Sequence, residues 1–339
     1  MIGFIGLSHL SLCYAASLLK KNKKIIIFDI KNEIENFKKG KIKVFEKGLD
    51  IILKKKIHFL TITSEKKKLK NCKIFFLAKD ITTDNKNNIQ LNYTKKLLSL
   101  LDKELKNKDL VIMNQVPVGF TRNLKRNLDK TYHFVETLVF GNAINRASRP
   151  ERIIIGKNKS NSKVSKEFSK ILNIYKCPII DLTFEESELT KGFINTFLAS
   201  QLMTTNFLNE VAEKYNANWN KIIKAIKLDK RIGMDGYYVP GLGISGGNIE
   251  RDIQTLKRIT KTKKLKNKFP QFIIKSNNYY KSWIERIIKN KKLQNQKIGL
   301  LGFTYKENTL SSKNSCQVEL IKKFKSNILI HDLKKNDLI

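Results

Sequence analysis

Between Val239 and Asp252 the chain reads VPGLGISGGNIERD, with Gly241, Gly243, Gly246 and Gly247 inside seven positions and a run of amide and charged side chains directly after them. Glycines spaced this closely let backbone N–H groups approach phosphate or sugar oxygens without an intervening Cβ, so the loop is expected to hold a ligand. It contains no cysteine, and therefore no thiol nucleophile. A second chemical signal opens the chain, where GFIGLSHLSLCYA has the form G-x-S-x-x-S through Gly6, Ser8 and Ser11. The dinucleotide fingerprint has glycine at all three places: for a tight turn, for close approach to pyrophosphate at a helix N-terminus, and for packing of helix on strand. Gly6 meets the first need. Asp29, closing IIIFD, supplies the acid that bonds ribose hydroxyls and favours NAD over NADP. Ser8 and Ser11 put a Cβ at the other two places, so the segment reads either as a cofactor site or as a plain strand-to-helix turn.

Both signals depend on the elements around them. The N-terminal third alternates strand-like and helix-like runs: MIGFIGL, a helix through Lys20, KKIIIFDI, a helix near Asn32, then KIFFLA, DLVIMNQV and HFVETL. Short β-rich runs separated by helical stretches predict an α/β fold, a Rossmann-like doubly wound parallel sheet with crossover helices. From Thr183 to about Leu228 the apolar residues recur at helical spacing with only Gly192 to interrupt, which predicts a long helix between domains. A second helical stretch, IQTLKRITKTKKLKNKF, follows the glycine loop. After the polar linker KNKKLQNQ, KIGLLGF opens another βαβ unit that ends at NILIHDL. The expected organisation is a Rossmann-like domain over 1–182, a central long-helix domain over 183–290 and a short, truncated βαβ domain over 291–339.

At 339 residues with 41% hydrophobic side chains, the chain can bury two or three cores. Lys and Arg number 67 against 30 Asp and Glu, a net charge of +37, which suits a polyanionic ligand. The lysines are spread evenly, and no RNP, zinc-finger or KH signature accompanies them, so specific nucleic-acid binding is not expected. Cys13, Cys72, Cys177 and Cys316 are scattered, with no CxxC pair and no histidine cluster at metal-ligand spacing. They are expected to be reduced core residues, with no metal site. No apolar run of about 18 residues or more occurs, and no signal cleavage site is evident, which suggests a cytoplasmic protein with no membrane partner.

Several stretches, in order and over essentially the whole chain, together resemble the UDP-glucose/GDP-mannose dehydrogenase family of nucleotide-sugar 6-dehydrogenases. VFEKGLDIIL resembles the family's E-P-G-L segment and DITTDNKNNIQLNY its T-P-T-D stretch; NQVPVGFTR is similar to S-T-V-P-V-G-T-T-R. ETLVFGNAINRASRPERIIIG, ESELTKGFINTFLASQLMTTNFLNE, and DKRIG followed by the glycine loop match three further motifs, and GFTYKENTLSSKNSC matches a segment of the third domain. The resemblance implies oxidation of a nucleotide-sugar hydroxyl with NAD as cofactor. Lys191 would polarise or deprotonate the C6 oxygen and Asn195, four residues on, would hydrogen-bond it. Asp252 would orient a water or the lysine, and Glu136 would be the general base of a later hydrolysis. Cofactor contacts would come from Gly6, Ser8, Ser11, Asp29, Thr82, Gln115 and Lys313. Substrate contacts would come from Gly243, Gly246, Gly247, Tyr305 and Lys306. Arg231 matches an arginine that reaches a neighbouring subunit's sugar site, which implies a homodimer.

The departures from the pattern bear on chemistry. Asn248 stands where the family has its nucleophilic cysteine, Gly247 where it has a serine and Ser245 where it has a glycine. Gln115 and Phe120 replace threonines, Phe140 replaces an acid, Lys313 takes an arginine's place, and Leu310 and Ser311 replace paired aspartates. A carboxamide cannot add to an aldehyde as a thiolate does. Two functions stay open: a dehydrogenase with an altered or partial reaction, and a non-catalytic homologue that binds a nucleotide sugar or regulates.

Overall fold

The computed structural model describes residues 1–40, 46–84, 88–304, 311–324 and 328–331. Within them the chain forms two compact units, Met1–Lys191 and Gly192–Ile339.

In the first unit, strand and helix alternate: β1 (Ile2–Ile5), α1 (His9–Leu19), β2 (Ile25–Phe28), α2 (Lys31–Lys38), α3 (Leu49–Lys55), β3 (Leu60–Thr63), β4 (Ile74–Leu77), α4 (Asn92–Leu100), α5 (Asp102–Leu105), β5 (Asp109–Ile112), β6 (Thr131–Phe134), α6 (Ala143–Ser148), β7 (Ile153–Lys157), α7 (Lys166–Leu172) and β8 (Ile179–Thr183). They build one eight-stranded sheet in the order β3-β2-β1-β4-β5-β6-β7-β8. Neighbours are parallel except β6 and β7, which pair antiparallel at His133–Gly156 and Phe134–Ile155.

The runs IGFI, IIIF, IFFL and DLVI are buried at every position because helices cover both faces of the sheet. The period of two sorts them cleanly. Ile25, Ile27, Ile74 and Phe76 face one core together with Leu10 and Leu12 of α1, while Ile26, Phe28, Phe75 and Leu77 face the other with Leu97 of α4. Each such side chain, removed from water, contributes about 1.5–3 kcal/mol. Strand order reverses at β1, with β2 on one side and β4 on the other. The C-terminal ends of these two strands therefore flank a crevice of the kind in which doubly wound sheets bind ligands.

Helix α8 (Phe184–Lys214) begins in the first unit and continues into the second. The single helical stretch expected to about Leu228 is in fact two helices, α8 and α9 (Trp219–Leu228). The chain breaks between them, where Asn216 takes a left-handed φ of 52°. The second unit continues with α10 (Asn248–Thr262), α11 (Phe269–Lys281), α12 (Trp283–Asn290), β9 (Ile298–Leu301), α13 (Cys316–Lys323) and β10 (Ile328–His331). Strands β9 and β10 pair in parallel, as a βαβ unit requires. Ala199 and Met203 of α8, Ile244 of the glycine loop, Ile253 of α10 and Ile273 of α11 form the core that fixes the loop between helices.

Candidate functional site

The turn after β1 is built around Gly6. Its φ is 98°, and a Cβ there would lie 2.5 Å from Cβ of Lys79, just beyond β4, so only glycine lets the two strand ends approach. Ser8 then caps α1. Its Oγ accepts from the Ser11 amide at 3.3 Å and donates to the Ala78 carbonyl at 2.6 Å, while Ser11 Oγ accepts from the Ser8 amide at 3.0 Å. The two serines that depart from the fingerprint thus form a reciprocal capping box. Asp80 takes a further donor, accepting from the His9 amide at 3.1 Å, so a surface carboxylate of the chain itself lies at the helix N-terminus where a diphosphate would bind.

Asp29 is fully buried at the end of β2. Its Oδ2 accepts from the Leu7 amide at 2.7 Å and from Lys79 Nζ at 3.0 Å; its Oδ1 accepts from the Ile30 amide at 2.8 Å and from the Tyr93 hydroxyl at 2.5 Å. Burial and the Asp29 carboxylate together push the Tyr93 phenol well above its usual range, so it stays a donor. Of the remaining expected cofactor contacts in this unit, Thr82 is exposed and its carbonyl accepts from the Gln90 amide at 3.0 Å, and Gln115 is half-buried beyond β5.

Lys191 and Glu136 are brought together. Lys191 Nζ lies 2.9 Å from Glu136 Oε1 and donates to the Glu136 carbonyl oxygen at 2.7 Å, and both side chains are largely shielded. Two buried groups on the first turns of α8 hold the lysine's helix in place. Glu188 accepts from the amides of Gly119 at 2.6 Å and Thr121 at 2.8 Å, fixing the VPVGFTR loop, and burial raises its pKa. Ser187 Oγ lies 2.9 Å from Nδ1 of His133 on β6, where burial pushes the imidazole pKa down to about 4.

In the second unit Asp252, expected to orient a water or the lysine, meets Asn195. Asn195 Nδ2 donates to Asp252 Oδ2 at 2.5 Å, and Arg251 Nε lies 3.2 Å from the other oxygen, all three residues being buried. The glycine loop runs into α10, with Gly247 as its N-cap and Asn248 exposed as the first helical residue. Gly243 has φ 85°, and a Cβ there would meet Asn277 Oδ1 at 2.6 Å, the same atom that accepts from the Ile244 amide at 2.5 Å. Gly246 donates to the Lys313 carbonyl at 2.9 Å, and a Cβ on Gly247 would lie 3.1 Å from the Lys313 side chain. Lys313, expected among the cofactor contacts, meets the glycine loop through its carbonyl. Arg231 is exposed and paired within its own turn, Nε to Asp229 Oδ1 at 2.9 Å. Tyr305 and Lys306 lie outside the described residues.

Sequence reasoning assigned no role to Lys79, Asp80, Tyr93, Glu188 or Asn277, which hold the site. Only Glu188 had a visible signal, its place three residues before Lys191 inside the matched helix motif.

A Rossmann-like sheet with a turn glycine after β1 and an acid at the end of β2 has the features of a dinucleotide-binding fold. The family profile of the UDP-glucose/GDP-mannose dehydrogenase NAD-binding domain matches residues 1–177, and that of the family's central domain matches residues 185–279. The chain belongs to the UDP-glucose/GDP-mannose dehydrogenase family, and its cofactor is NAD. It is 28% identical to a UDP-glucose 6-dehydrogenase of Campylobacter jejuni, over 96% of this chain and 83% of that protein. To the UDP-glucose 6-dehydrogenase TuaD of Bacillus subtilis it is 24% identical, over 94% of this chain and 72% of the relative. Among solved structures, a UDP-glucose dehydrogenase of Pyrobaculum islandicum superposes with a TM-score of 0.84 at 20% identity, covering 98% of this chain and 81% of that one. A UDP-D-ManNAc dehydrogenase of Pyrococcus horikoshii gives 0.81 at 18% identity, covering 97% and 82%.

The site fits the cofactor at the turn glycine and at the acid after β2. For Asp29 to reach ribose hydroxyls, Tyr93 or Lys79 must release it, and a diphosphate must displace the exposed Asp80 carboxylate. No helix among the described residues is long and apolar enough to cross a membrane.

Proposed function

We propose that this protein oxidises one hydroxyl of a nucleotide sugar with NAD and stops after a single two-electron step. The observation that carries the proposal is Asn248 at the first position of α10, where the family pattern has its cysteine. A thiol there would be activated by the helix N-terminus and would hold an aldehyde for a second oxidation, and a carboxamide does neither. The first oxidation needs no thiol. NAD, when bound, accepts the hydride. Lys191, ion-paired with Glu136, polarises the sugar hydroxyl, and the hydroxyl proton passes to the Glu136 carboxylate beside it; Asn195, fixed through Asp252 and Arg251, keeps a carboxamide donor for the sugar oxygen. Lys191 and Asn195 are one helical turn apart on α8, the spacing of the matched motif.

We assign nucleotide-sugar contacts to the glycine loop at Gly243, Gly246 and Gly247 and to Tyr305 and Lys306. We assign cofactor binding to 1–182, a central dimerisation and substrate segment to 183–290 and nucleotide-sugar binding to 291–339. The four cysteines are all free, which is in keeping with a reducing cytoplasmic setting.

A homodimer is supported by α8 itself. Phe193, Phe197, Leu208 and Val211 of α8 and Tyr215 just past its end are all exposed, Phe197 at 78% and Tyr215 at 81%. At about 100° per residue they form one stripe, too large an apolar face for a free helix.

The second reading, binding of a nucleotide sugar without turnover, is favoured by the internal bonds that occupy Asp29. Lys191→Ala separates the two. It is expected to lower kcat by about a hundredfold to ten-thousandfold while leaving ligand-induced thermal stabilisation in place. Unchanged turnover in this variant rules out the mechanism.

A further inference from the structure

We propose that His9, Cys13 and Glu46 form a binding site for one transition-metal ion of the zinc class, separate from the Lys191 and Asn195 groups. The ligating atoms of the three residues all lie within 4.8 Å of one another. His9 Nε2 is 3.0 Å from Glu46 Oε2 and 3.5 Å from Cys13 Sγ. Around a tetrahedral zinc ion the corresponding nitrogen–oxygen and nitrogen–sulfur edges are about 3.3 and 3.6 Å, from bond lengths of about 2.0 to 2.3 Å.

The chemistry of the donors favours a cation over an ordinary hydrogen-bonded cluster. One imidazole nitrogen faces both the sulfur and the carboxylate. It carries either one proton or one lone pair, so it cannot donate to the carboxylate and accept from the thiol together. A metal ion between the three uses the lone pair, a thiolate and a carboxylate at once.

The supports around the ligands are in place. His9 and Cys13 are four residues apart on α1 and share a face. Glu46 is buried, with Oε1 accepting from the Ala143 amide at 2.8 Å and Oε2 from the Gly141 amide at 3.1 Å, so its oxygens are aimed by the start of α6. The Phe140 ring, 4.5 Å from the His9 ring, restricts the imidazole. Three protein ligands leave a fourth position for water or another small ligand, as in open zinc sites.

The test uses the full chain, reduced and stripped with chelator, titrated with Co²⁺ alone and then with Zn²⁺. The expected result is one tightly bound Co²⁺ per chain with a thiolate charge-transfer band and tetrahedral d–d absorption, both abolished by one equivalent of Zn²⁺. Cys13→Ser should remove the charge-transfer band and Cys72→Ser should leave it. Because Cys13 is buried and its variant is at risk of misfolding, His9→Asn, at a partly exposed position, is titrated in parallel, with at least a tenfold loss of Co²⁺ affinity expected. Absence of the thiolate band in the unmodified protein overturns the proposal. So does a band that survives in folded Cys13→Ser, or an affinity that His9→Asn does not change.

Discussion

Residue by residue, the departures from the family pattern are not random damage. Ser8 and Ser11 replace two fingerprint glycines, yet each makes bonds that glycine cannot, and together they close the first turn of α1. The cost falls on the ligand's side, because the His9 amide is already bonded to Asp80 and the four bonds to Asp29 are internal. An anion at a helix N-terminus is worth about 0.3–1 kcal/mol, so Asp80→Asn is expected to tighten NAD binding roughly two- to fivefold as measured by calorimetry. Weaker binding by this variant would show that Asp80 supports the cofactor instead of standing in its place. Asn195 and Asp252 were each legible in the sequence as members of matched motifs, but their pairing was not, since Asp252 was expected to orient a water or the lysine. Asp80, Lys79 and Tyr93 were not, because no spacing rule joins residues that meet only where the ends of β1, β2 and β4 converge. Of the proposed metal ligands, His9 and Cys13 lie four residues apart on α1, a spacing too common on helices to signal a metal site by itself. Glu46 comes from a distant segment and was not legible.

The elements were most legible where burial is complete. Parallel strands covered on both faces read as unbroken apolar runs, which is why IIIF and IFFL announce β2 and β4. The direction of β7 was not legible, since RIIIG fits a parallel or an antiparallel neighbour equally well. The break between α8 and α9 was also missed: the apolar period continues across it, and only the left-handed Asn216 marks the stop. The contact of β6 with the start of α8 carries a pH dependence of its own. His133 has its pKa lowered from 6.5 to about 4 by burial, so the folded state holds it neutral while the unfolded chain takes up a proton below pH 6.5. Stability from this group is full above that pH and is lost as the pH falls from about 6.5 to about 4, by roughly 3 kcal/mol at about 1.4 kcal/mol per tenfold change in proton concentration. Denaturant unfolding over this range should show His133→Gln losing less stability than the unmodified protein by about that amount. Equal losses would mean that His133 is charged in the fold.

Across the whole molecule, a net charge of +37 and an exposed apolar stripe on α8 point to different partners. Evenly spread lysine provides general attraction for a polyanionic small ligand, whereas a contiguous apolar face calls for a protein surface. Phe197→Glu, at the most exposed phenylalanine of the stripe, is expected to shift sedimentation from the proposed dimer to monomer with the fold of the first unit retained. An unmodified protein that sediments as a monomer would remove the dimer. The central claim concerns the outcome of the reaction, and the count of NADH formed for each nucleotide sugar consumed, over a panel of UDP-, GDP- and CDP-sugars, tests it directly. Asn248, where the resemblance to the family implies a thiol, predicts one NADH per sugar, with a second appearing in Asn248→Cys. Two NADH per sugar in the unmodified protein, or none with any sugar beside an active control enzyme, would contradict a single NAD-dependent oxidation.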